Sequence, residues 1–237
     1  IQADLKTFHR HGVYGQSVLT LLTAQNTRGV QGVFVQPVDV VRTQLRSVAD
    51  DLGAEATKTG AIGSAELVAA IADELQVRPL GALVVDPGLV SKHGQALAAP
   101  EVGAALRRHL LPLALVVTPN RHEAACLTGI EVTDRTSAER AAQLLRRDGA
   151  EVVVVKDVPG AAADLYVDGA GSQLLERPHV ETRHRHGSGC TFSAAVVAQL
   201  ARGLATHDAV SAAQDFVVRA LASAPGLGEI GPLNHWA

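Results

Sequence analysis

Four short strand-like runs, Ala56 to Thr59, Leu83-Val84-Val85, Leu115-Val116-Val117 and Val152 to Val155, recur along the chain with amphipathic helical stretches between them. No other feature constrains the fold as tightly. Strands separated by helices pair in parallel, and a parallel sheet needs helical cover on both faces. The expected class is therefore α/β, with a mostly parallel sheet flanked by helices. Upstream, Ser17 to Thr23 reads as a buried strand and Gly32 to Gln36 as a second short one. Pro37 opens a helix to about Leu52, because proline suits a first helical turn. Ser64 caps a helix to about Val77, and a helix from about Val102 to Leu110 precedes the third run. Thr136 and Glu139 read as the capping box of a helix ending at Arg147. Leu165 to Val167 and Gln173 to Leu175 suggest a hairpin around Asp168-Gly169. Helices from Thr191 to Arg202 and from about Asp208 to Ala222 finish the chain.

No repeat, low-complexity stretch or linker interrupts this pattern, so residues 1–237 are expected to form a single domain. The chain is 47% hydrophobic, 3% aromatic and carries a net charge of −3 with its signs interspersed. That balance argues against a nucleic-acid partner or an anionic membrane surface. No apolar run approaches the roughly 20 residues that cross a bilayer. The two cysteines, Cys126 and Cys190, lack metal or redox spacing and fit a reducing, cytoplasmic setting. The sequence starts at Ile1 and contains no methionine, so it is expected to begin inside a longer natural chain.

Chemistry concentrates at His186-Gly187-Ser188-Gly189-Cys190-Thr191, a glycine-rich turn that opens an apolar helix. A helix start presents unpaired N–H groups and the positive end of the macrodipole, and so favours anions. The two glycines let backbone approach a phosphate closely. A thiol there is expected to have its thiolate favoured. A phosphate cradle beside a potential base suggests phosphoryl transfer. Asp86, Asn120 and Lys156 each follow a strand, and the ligand crevice of an open parallel sheet lies at those carboxyl ends.

These residues carry a resemblance. Ile1-Gln2-Ala3-Asp4, Thr23-Ala24-Gln25-Asn26-Thr27, Lys58-Thr59-Gly60, Val85-Asp86-Pro87, Thr118-Pro119-Asn120 with Glu123, the glycine-cysteine turn and the tail Gly231-Pro232-Leu233-Asn234-His235-Trp236 resemble the hydroxymethylpyrimidine/phosphomethylpyrimidine kinases of thiamine biosynthesis, within the ribokinase-like superfamily. The resemblance implies a three-layer α-β-α fold and phosphorylation of an aminopyrimidine alcohol, and of its monophosphate, by ATP with Mg²⁺. It implies Cys190 as general base and Gly187, Ser188, Gly189 and Cys190 as an anion hole for the transferred group. Lys156 and Asn120 would meet the nucleotide phosphates, and Asp86 and Glu123 would hold the metal. Gln25 would pair with the pyrimidine edge and Asp4 with the substrate's hydroxymethyl or phosphate end, or Asp4 would cap its helix. A homodimer is implied as well.

The chain also departs from the family pattern. The opening strand and its Gly-Ser/Thr-Asp-Pro-Ser-Gly-Gly-Ala-Gly turn do not precede Ile1. Ala61 stands where methionine is usual and Gly88 where valine is usual, and both are expected to enlarge the substrate pocket. Lys156-Asp157-Val158-Pro159 replaces Lys-Gly-Gly-His, so an acid lies beside the expected phosphate site. Competing readings are a pyridoxal-type kinase of the same family, a ligand-binding relative without catalysis, and a thiol hydrolase using Cys190 with a histidine such as His184 or His186.

Overall fold

The computed structural model describes residues 1–89 and 98–237. Its centre is a six-stranded sheet, formed in order by β3 (Ala56–Thr59), β4 (Ala82–Val85), β5 (Val116–Val117), β6 (Val152–Val155), β7 (Ala163–Val167) and β8 (Ser172–Glu176). The pairs from β3 to β6 are parallel, whereas β7 and β8 pair antiparallel. The valine runs of β4, β5 and β6 are buried on both faces, as parallel strands under helical cover must be.

One face packs α2 (Val38–Ala49), α3 (Ala65–Val77), α4 (Pro100–Ala105), α5 (Arg121–Thr128) and α6 (Arg135–Arg147) into a core around Val41, Leu67, Leu106 and Leu145. The other face carries α1 (Gln2–Arg10), α7 (Ser188–Ala201) and α8 (Thr206–Ala222), with Phe8, Val196 and Phe216 in its core. Helices on both sides make the α-β-α layering. No helix among the described residues is long and apolar enough to cross a membrane.

The clearest departure from the sequence reading lies near the start of the chain. The strands are β1 (Leu21–Asn26) and β2 (Gly29–Val35), and they form a separate two-stranded antiparallel sheet. Neither is buried, so the expected core strand at Ser17 to Thr23 is corrected. This small sheet arches outward and is tethered at both ends. At its base, Thr20 Oγ1 donates to the Ala61 carbonyl at 2.9 Å, and at its tip Thr27 receives the amides of Glu229 and Ile230.

Helix ends account for the remaining differences. Pro37 is the N-cap of α2, one residue before the first turn. The capping box of α6 is Asp134 with Ser137, whereas Glu139 pairs with Arg135 and accepts from Ser172. An acid at the cap satisfies first-turn amides more directly than Thr136, which lies two positions too far along. The helix expected to reach Leu110 is α-helical only to Ala105 and continues as a π turn, Leu106–Leu110. Ser64 accepts from the Leu67 amide as expected.

Candidate active site

The strand ends bring the polar residues together. Asp86, directly after β4, accepts from Lys156 Nζ at 3.3 Å and from Ser193 Oγ at 2.9 Å. Loops after β4 and β6 therefore meet the start of α7 at one buried carboxylate. Asn120 bridges Lys156 in parallel register and caps α5 by accepting from the His122 and Glu123 amides. Lys156 is only 9% exposed, which removes the reading of a surface lysine at a strand end.

Gly187 is the N-cap of α7 at φ +82, a left-handed conformation that glycine adopts without strain. No side chain caps this helix. The Ser188 amide donates to the Arg185 carbonyl at 3.2 Å, and helical bonding starts with Thr191 donating to Gly187 at 2.8 Å. The amides of Gly187, Gly189 and Cys190 lack a backbone partner among the described residues. Of the four amides expected in the anion hole, only that of Ser188 is drawn into a backbone bond. A Cβ at Gly189 would stand 3.4 Å from Lys156 Nζ, so the cation borders these amides.

Cys190 lies in the same first turn. The dense protein around it pushes its thiol above the ordinary range. Lys58 and Lys156 pull the other way, while Asp86 and Asp4 add to the rise. Against the expected favoured thiolate, desolvation and the two carboxylates together outweigh the pull of the two lysines.

Asp4 is not a helix cap, since Ile1 holds that position in α1. Its carboxylate instead pairs with Lys58 Nζ at 2.8 Å. Burial works against the charge of Lys58, yet Asp4, Cys190 and Asp86 outweigh it and hold the ammonium pKa above its usual value. The sequence reading gave Lys58 and Ser193 no role. The signal for Lys58 was a lysine inside a strand that ends at Gly60, where a charge is tolerated only beside a partner.

Glu123 sits in the α5 capping box and accepts from the Asn120 amide at 2.9 Å and the Leu89 amide at 3.2 Å. Burial, together with repulsion from Asp86, raises its pKa to about 7 against the opposing pull of Lys156 and the two amides. Asp86 is affected in the opposite direction. Burial opposes its charge, but Lys156 and Lys58 prevail and hold the carboxyl below the usual range. Two hard oxygen donors in one crevice suit Mg²⁺, which keeps waters and phosphate oxygens around one or two carboxylates. No group of three metal-binding side chains occurs among the described residues.

Gln25 projects from the arching sheet and lies 3.5 Å from His186 Nε2, facing the glycine turn. Ala61 and Gly88 touch each other: at Gly88, φ +59, a Cβ would stand 2.9 Å from the Ala61 backbone. Asp157, also left-handed at φ 57, is ion-paired to Arg177, which reaches Asp164 as well. Its carboxylate is thus engaged by β8-side charge.

Comparison with known proteins adds a family to this geometry. Residues 1–234 match the family model described as phosphomethylpyrimidine kinase. The chain is 47% identical to a hydroxymethylpyrimidine/phosphomethylpyrimidine kinase of Streptomyces coelicolor, over all of this chain and 89% of that one. The crystal structure of phosphomethylpyrimidine kinase from Clostridium difficile superposes with a TM-score of 0.82 at 33% identity, covering 91% and 90% of the two chains. The ADP complex of Bacillus subtilis pyridoxal kinase superposes at 0.89 and 35% identity, covering 99% and 91%. With two first-turn amides, a bordering lysine and a thiol gathered at the strand ends, this chain is a phosphotransferase and belongs to the phosphomethylpyrimidine kinase family.

Proposed function

We propose that this protein transfers the γ-phosphoryl group of ATP to the hydroxymethyl group of 4-amino-5-hydroxymethyl-2-methylpyrimidine, and then to the monophosphate so formed, in thiamine biosynthesis. The observation that carries this reading is the juxtaposition of the Gly189 and Cys190 amides, Lys156 Nζ and the Cys190 thiol within one crevice. Phosphoryl transfer asks a protein mainly for positioning and charge stabilisation. The two amides and the lysine supply both to the migrating group. Cys190 Sγ accepts the proton that the substrate alcohol loses as its oxygen bonds to phosphorus. Lysines rather than a histidine are the cations acting on this thiol, which favours a base for phosphoryl transfer over the nucleophile of a hydrolase.

Gln25 presents an amide donor and acceptor to an aminopyrimidine edge, and its place opposite the glycine turn supports that role. Asp86 and Glu123 would hold Mg²⁺, whose contribution is to neutralise phosphate charge. The whole of residues 1–237 acts in this reading as one kinase domain in the cytoplasm, taking small molecules rather than nucleic acid or membrane. A homodimer is part of the proposal. It is supported by the apolar side chains Leu22, Val33, Phe34 and Val35, which the arching sheet leaves exposed.

The test is a substrate panel with ATP: the aminopyrimidine alcohol, its monophosphate and pyridoxal in parallel. The expected order of kcat/KM places both pyrimidines above pyridoxal. A pyridoxal preference would favour the pyridoxal kinases among its structural neighbours instead. Failure to turn over any of the three would leave a binding protein.

A further inference from the structure

Two lysines, Lys58 in β3 and Lys156 just after β6, act on the base, and the transfer to an alcohol accounts for only one of them. Lys156 borders the amides that face the migrating group and is neutralised by Asp86. Lys58 comes from β3, against which α7 packs, and its head is only 6% exposed. It is bound to Asp4 on the first turn of α1, the helix whose Ala3 abuts Gly187. Lys58 therefore belongs to the α1 flank of the glycine turn, next to Gly187, whereas Lys156 borders Gly189. A neutral alcohol has little use for a second buried cation there. A phosphate monoester does, because its negative charge must come within bonding distance of another phosphate.

We propose that Lys58 is the cation that receives the phosphate of a phosphorylated acceptor, and so permits the second transfer at the same site. This rests on the functional reading above and deepens it. In that second transfer, an oxygen of the acceptor phosphate forms a bond to the γ-phosphorus of ATP. The bond between that phosphorus and the β,γ-bridging oxygen breaks, ADP leaves with the electron pair, and the product is a diphosphate ester. The dianionic acceptor has no proton to lose, so this step needs cationic charge more than a base. The alcohol step has the opposite requirement. Asp4 keeps the buried ammonium paired until an anion arrives, since an isolated buried charge would be costly.

The experiment measures kcat/KM of the full chain for the alcohol and for its monophosphate in wild type, Lys58→Met, Lys58→Arg and Cys190→Ala. Charge-assisted contact to phosphate predicts that Lys58→Met loses about 30-fold or more on the monophosphate, with only a several-fold loss on the alcohol. Lys58→Arg recovers much of the monophosphate activity. Cys190→Ala shows the reverse ranking, falling further on the alcohol. The alcohol reaction is an internal measure of correct folding for the Lys58 variants, and the monophosphate reaction for Cys190→Ala. Equal losses on both substrates in Lys58→Met, or no recovery with arginine, would overturn the assignment. Wild type inactive on both pyrimidines would overturn the functional reading and this assignment with it, an outcome readily told apart from equal losses in the variant.

Discussion

A thiol is an unusual proton acceptor, and its surroundings set the pH at which it works. Cys190 is held above its ordinary pKa, first by desolvation and then by Asp86 and Asp4. Only the thiolate can take the proton of the alcohol, so the rate rises with pH and its limb lies on the alkaline side of an ordinary thiol's roughly 8.5. Cys190→Ala is expected to lower kcat on the alcohol by about 10²- to 10⁴-fold, the usual range for a general base, and to abolish that limb. A pH–rate profile checks both. Gln25 is argued in the same way: replacing it with leucine strands the polar edge of a pyrimidine at about 1–3 kcal/mol, a roughly tenfold or greater rise in KM. An unchanged KM would remove Gln25 from the pocket.

The helix starts are the informative elements. Gly187 holds φ +82, and any side chain there pays about 1–2 kcal/mol for a left-handed backbone. Its Cβ would meet nothing closer than Ala3 at 3.8 Å, so strain rather than collision is the cost. Gly187→Ala is expected to lower the melting temperature modestly and kcat more severely, because relaxing the turn re-aims the Gly189 and Cys190 amides. The start of α5 gives a linkage prediction. A Glu123 carboxyl held at about 7 keeps a proton in the folded chain that the unfolded chain releases near 4.3. Folding stability therefore declines as pH rises from about 4.3 to 7, and Glu123→Gln should flatten that decline in denaturant titrations across the window.

The glycine turn and the three strand-end residues were readable from residue type and spacing alone, because turn chemistry is local. Which residue capped α6 was less so. Asp134 and Thr136 both look like caps, and two positions decide between them. The Asp4–Lys58 pair was invisible for a different reason: 54 residues separate its partners, and only the packing of α7 against both α1 and β3 brings them together. The exposure of β1 is not legible in its residues, because Leu21 and Leu22 have core-like composition on a sheet largely open to solvent.

Across the whole molecule, that clear-standing sheet is the feature with the widest reach. Two strands alone are marginal in water, and contiguous exposed apolar patches on a soluble protein mark interaction surfaces. Phe34, 62% exposed, is the largest side chain on it. Phe34→Asp is expected to convert a dimer to a monomer in sedimentation, with the six-stranded core still melting cooperatively. A wild type that already sediments as a monomer would remove the dimer.

The tethers of that sheet also bear on synthesis. Its tip is held by residues 229 and 230, Gly231 accepts from the His186 amide, and His235 meets Thr191 inside α7. Segments far apart in the sequence thus close over the glycine turn together. A chain halted on the ribosome near residue 225 would already own both sheets and helices α1 to α8. It would still lack these ties, which form only once residues 226–237 have emerged.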